Sequence, residues 1–67
     1  MNEEPTFEMA CYFTGAETDA AVQIEDPMSQ EIHWIPLSQV HRMTGKRPGE
    51  GTILMNAWIA KKKGLFR

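Results

Sequence analysis

The clearest signal in this chain is an alternation of apolar and polar positions near its start. Phe7, Met9, Cys11 and Phe13 fall on one side of an extended chain; Glu8, Ala10, Tyr12 and Thr14 fall on the other. A period of two marks a strand with one buried face. A second strand repeats the pattern, with Ala20, Val22 and Ile24 on one face and Gln23 and Glu25 opposite. A third spans residues 31–35, where Ile32 and Trp34 share a side and His33 and Ile35 take the other. The connections between them are too short for a parallel crossover, so an antiparallel meander is expected.

Glycine and proline punctuate these strands. The stretch "TGAETDA" (14–20) reads as a loop, and "EDPMSQ" (25–30) as a turn in which Pro27 disfavours helix at Asp26. Pro36 lacks an N–H for the ladder and so ends its strand or lies at an edge. Ser38 and Gln39 are expected to bond locally or to a neighbouring backbone. "HRMTGKRPGEG" (41–51) holds three glycines and a proline among charges and reads as a mobile loop.

Near the end, "TILM" (52–55) is a short apolar strand, and residues 57–63 form a helix. Asn56 is placed to cap it, and Gly64 suits the left-handed position just past its end. Leu65 would fold back on Ile59 or Ala60. Three lysines favour the negative end of the helix dipole. Seven residues make no independent helix, so it must dock on the sheet, with Trp58 and Ile59 as the docking side chains. The expected fold is β-rich (α+β): a small antiparallel sheet of three to four strands, curled or closed into a barrel, with one short C-terminal helix. Closure would remove aggregation-prone edges. Residues 1–5 are expected to be disordered and 6–67 to form a single domain.

Charge changes the picture more than composition does. The formal net charge is −2 over 67 residues. Eight acidic residues and no lysine or arginine lie in 1–32, whereas seven basic residues face Glu50 alone in 33–67. The halves thus carry −8 and +6. This polarity implies a charged partner, or two halves that attract each other. Glu17, Asp19, Glu25, Asp26 and Glu31 are the candidates for an acidic partner-binding face. Arg42, Lys46, Arg47, Lys61, Lys62, Lys63 and Trp34 are the candidates for contact with nucleic acid or a partner. An exposed Tyr12, Trp34 or Trp58 would give bases a ring to stack on.

The candidate chemistry is thin. Cys11, His33 and His41 are the only available nucleophile and bases, and Cys11 shares its strand face with Phe7 and Phe13, where a buried thiol is inert. One cysteine and two histidines do not make a structural zinc site. The carboxylates show no pairing suited to acid–base work. "TGKRPGEGT" is not the phosphate-binding G-x-x-x-x-G-K-[ST] arrangement. No enzyme, cofactor or metal is expected. A lone cysteine excludes an internal disulfide and suits a reducing compartment. With no 18-residue apolar run and no signal-peptide pattern in "MNEEPT", the chain is expected to be soluble, off the membrane and in a host cell's cytoplasm. So small a core would gain from a homodimer contact or a larger partner.

"WIPLSQV" (34–40) followed by "AWIAKKKGL" (57–65) resembles a class of short phage, prophage and mobile-element proteins. Their pattern is W-[IFL]-P-x-S-Q-[VI], then a strand, then W-[IL]-A-x-K-x-G-L. The resemblance spans about residues 7–65 and transfers no catalytic residue. This chain departs from the pattern in its long 41–51 segment. The class resembles accessory products that phages direct against, or alongside, host nucleic-acid machinery. The small size, the absent chemistry, the acidic first half and this resemblance together lead to the expectation of a non-enzymatic interaction protein that modulates or inhibits a host nucleic-acid-processing or defence complex, by analogy a CRISPR effector. The alternative is a small-barrel module that binds single-stranded nucleic acid in replication or recombination.

Overall fold

The computed structural model describes residues 5–65. In chain order the elements are β1 (Thr6–Glu17), β2 (Ala21–Glu25), β3 (Ile32–Pro36), a single 3-10 turn (Leu37–Gln39), β4 (Val40–Gly45), β5 (Gly49–Asn56) and α1 (Ala57–Lys62). The five strands form one antiparallel sheet in the order β3-β2-β1-β5-β4. The sheet is not closed; β3 and β4 are its edges. The fold is thus mostly sheet with one short helix, built from five strands rather than three or four.

The long central strand β1 organises the rest. Its first part, Thr6 to Phe13, pairs with β5, and its later part, from Tyr12 to Glu17, pairs with β2. Only Tyr12 and Phe13 have partners on both sides. The two edge strands are joined by just Leu37–Gln39. Four Cα steps of about 3.8 Å span at most about 15 Å, whereas five flat strands would set their edges roughly 19 Å apart. The short link therefore requires the sheet to curl.

Alternation sorts the strands into two faces. Phe13, Ile24, Ile35, Ile53 and Met55 are each no more than 1% exposed and meet on one side. Cys11 and Val22 join them, with Phe7, Met9 and Met43 partly buried at the margin. α1 covers this face, burying Ala57, Ile59 and Ala60 against it. Gly64 turns the chain at φ +77°. Its N–H donates to the Lys61 carbonyl, and the Leu65 N–H donates to Ala60 at 2.8 Å. This double bond pattern ends the helix and folds Leu65 back into the core.

Several expectations change. The 41–51 segment is not a mobile loop; it is β4, a tight connection and the start of β5. The Thr44 and Thr52 hydroxyls hydrogen-bond across this hairpin. Gly45 sits at φ +98°, and the Arg47–Pro48 bond is cis. β1 also runs on through Glu17 instead of ending at Thr14, with irregular pairing between Phe13 and Glu17. Trp58 does not dock, since it stays 50% exposed while Ile59 is 3% exposed. Asn56 holds the cap position but makes no side-chain cap bond. Of the N-terminus expected to be disordered, residues 1–4 lie outside the described residues. Pro5 is tied down: its carbonyl accepts the Ala57 N–H at 2.9 Å.

Candidate interaction surface

The face of the sheet opposite the helix has no element covering it among the described residues. The register places its side chains in rows. In one row, Tyr12 lies between Glu50 on β5 and Glu25 on β2, and Glu25 is followed by Ile32 on β3. Beside it, Trp34 stands opposite Gln23, whose Oε1 accepts the Thr14 hydroxyl at 2.6 Å. Further along, Leu54 lies between Glu8 and Arg42. Tyr12, Trp34 and Ile32 are 43%, 40% and 50% exposed, which is far from core burial. A groove of about 660 Å³ opens over this face, lined by Ala10, Tyr12, Glu25, Pro27, Glu50 and Thr52 among others.

Electrostatics separate the carboxylates. Glu8 sits 3.5 Å from Arg42 in an exposed pair, a type of contact worth under about 1 kcal/mol. Among the described residues, Glu25 and Glu50 have no ion-pair partner. The groove is thus aromatic in part and carries uncompensated negative charge.

The acids expected to share one face are spread out. Glu25 is in the groove; Glu17 and Asp19 belong to the β1–β2 hairpin region; Glu31 precedes β3, its Oε1 3.5 Å from His33 Nε2. Asp26 is a correction, because it is 1% exposed and cannot present its carboxylate to a partner. Its Oδ1 accepts the Met28 N–H at 3.0 Å and shapes the β2–β3 turn. Sequence reasoning passed over Glu50, set in a presumed loop, although it faces Tyr12 across β1 and β5.

The basic residues also divide. Arg42 is on the open face with Glu8. Lys46 and Arg47 occupy the tip of the β4–β5 hairpin. Lys61, Lys62 and Lys63 end the helix that follows the other end of β5. Trp34 is on the open face, as its alternation implied.

Gln39 does more than bond locally. Its Oε1 accepts from Asn56 Nδ2 at 2.7 Å and from the Trp58 indole N–H at 2.9 Å. Asn56 Oδ1 in turn lies 2.6 Å from His41 Nε2; an amide oxygen only accepts, so that ring nitrogen donates. Residues 34–40 and 57–65 therefore meet through Gln39 and Trp58, tying the 3-10 turn before β4 to α1. Asn56 thus spends its side-chain amide on His41 and Gln39 and makes no cap bond.

Cys11 is buried on the covered face, and burial pushes its thiol up to about 11. At neutral pH it is a thiol, not a nucleophile. Among the described residues, no three His, Cys, Asp or Glu side chains gather where they could hold a metal ion. No described helix is long and apolar enough to cross a membrane.

Fold and surface together define a small antiparallel-sheet protein with one helix-covered face and one open, aromatic and acidic face. The chain matches no protein-family model, no curated protein and no solved structure.

Proposed function

We propose that this chain is a non-enzymatic interaction protein that uses its open sheet face to bind and modulate a nucleic-acid-processing or defence complex of a bacterial host. One observation carries the reading: three large apolar or aromatic side chains, Tyr12, Ile32 and Trp34, are exposed beside Glu25 and Glu50 on one sheet face. An open antiparallel sheet normally keeps polar side chains outward. Large apolar side chains exposed together, interleaved here with Glu25 and Gln23, mark a candidate protein contact. Glu25 and Glu50, unpaired among the described residues, repel phosphate but suit the basic surface with which a nucleic-acid enzyme holds its substrate. Occupying that surface would inhibit the enzyme by exclusion, and a CRISPR effector is the specific target class by analogy. The protein would act in the host cytoplasm.

The test is capture of partners by the tagged chain from nuclease-treated bacterial lysate, followed by identification. Recovery of a nucleic-acid-processing complex is expected. Recovery of no protein partner overturns the proposal.

A second reading has its own support. Trp58 is exposed on α1, with Lys61 and Lys62 one turn further along the same side. A ring beside cations suits single-stranded nucleic acid, and the chain would then serve replication or recombination. If about four phosphates are contacted, affinity should fall roughly fiftyfold between about 50 and 200 mM salt. No binding at low salt removes this reading.

A further inference from the structure

We propose that the groove on the open face receives an arginine side chain from a basic protein segment, with the guanidinium lying against Tyr12 between Glu25 and Glu50. This rests on the reading of the open face as a protein-binding surface, and it names the chemistry of the contact. Adjacent strands are about 4.8 Å apart, so the two glutamate positions flanking Tyr12 stand roughly 10 Å from each other. That interval suits a planar group that donates hydrogen bonds on opposite edges.

Each alternative occupant fits less well. A phosphate or carboxylate would meet two like charges. A wholly apolar ligand would cover two carboxylates that no described residue neutralises. A lysine is a point charge that satisfies one glutamate at a time, whereas a guanidinium presents five donors in a fork. The guanidinium also stacks on a tyrosine face, a contact worth about 0.5–1 kcal/mol at exposed sites. The groove, at about 660 Å³, has room for the arginine and the flanking backbone of its segment. Pro27 and Thr52 line it on opposite sides of β1.

The test uses the full ¹⁵N-labelled chain titrated with acetylated, amidated hexa-arginine, with hexalysine in parallel. Saturable amide shifts should centre on residues 10–12, 25–30 and 50–52, with arginine preferred. E25Q/E50Q should weaken hexa-arginine binding about fivefold. Y12L should weaken it about threefold, and Y12F should not. E17Q/D19N, at the β1–β2 hairpin, should bind as the unmodified chain does. The free variants' amide spectra report their folding independently. Shifts centred on Glu17 and Asp19, or unchanged affinity in E25Q/E50Q, overturn the proposal. So do the same groove shifts on concentrating the chain without peptide, because a second copy would then be the occupant. Capture of a complex that depends on Trp34 but not on Glu25 and Glu50 would strike this inference alone. Loss of every captured partner would strike the functional reading beneath it.

Discussion

Phe13 and Tyr12 are neighbours in β1, yet Phe13 is 1% exposed and Tyr12 43%. The same contrast runs across the sheet: Ile24 and Ile35 are buried, while Ile32 and Trp34 are not. The covered face holds the fold together, because α1 and the curl of the sheet seal it. The open face carries residues of similar bulk that no element covers among the described residues. Cross-strand pairing accounts for only a small part of their placement, and the proposed recognition role rests on the remainder.

The contrast breaks first at the core. Phe13→Ala should cost about 3–5 kcal/mol in urea unfolding, enough to unfold so small a domain. Tyr12→Ser should cost about 1 kcal/mol or less, the range of a cross-strand pair. Equal losses would mean that both faces are structural. Gly51→Ala comes next, since an added methyl would collide with the Thr44 carbonyl oxygen and the Phe13 ring. Overpacking of this kind should lower stability by about 1–3 kcal/mol in the same assay.

Cys11 sharpens the comparison through pH. Its thiol rises from 9.0 to about 11 by burial. Below pH 9 both folded and unfolded chains keep the proton, and stability is complete. Between about pH 9 and 11 the unfolded chain loses its proton while the folded chain retains it. Stability should therefore fall by about 1 kcal/mol per pH unit across that window. Urea midpoints should show this component in the unmodified chain and lack it in Cys11→Ala. A smaller effect belongs to Gln39→Ala, which removes the acceptor shared by Asn56 and Trp58. About 1 kcal/mol is expected, and Trp58 fluorescence should shift on losing its hydrogen bond.

Much of this arrangement was legible in the sequence. The strict alternation around Cys11, and that of residues 32–35, assigned the faces correctly. So did the Gly64–Leu65 ending, because glycine past a helix and an apolar residue beyond it leave few alternatives. The β4–β5 hairpin was not legible. β4 is an edge strand with only Val40 and Met43 half-buried, so it carries little periodic signal. Its glycines imitate a loop, although Gly45 serves a left-handed position and Gly51 a close approach to Phe13. That error hid Glu50. Asp26 was misplaced for a different reason: composition counts a charge without saying whether the chain turns it inward. The Gln39 network joins residues 17 and 19 positions apart, a distance that no local pattern spans.

The most direct measurement is quantitative partner capture by the unmodified chain, by Tyr12→Ser/Trp34→Ser and by Trp58→Ser, with each variant's unfolding midpoint measured alongside. The open-face pair should lose at least about tenfold in capture while remaining folded, and Trp58→Ser should retain it. Undiminished capture by the folded open-face variant would contradict the assignment of recognition to that face.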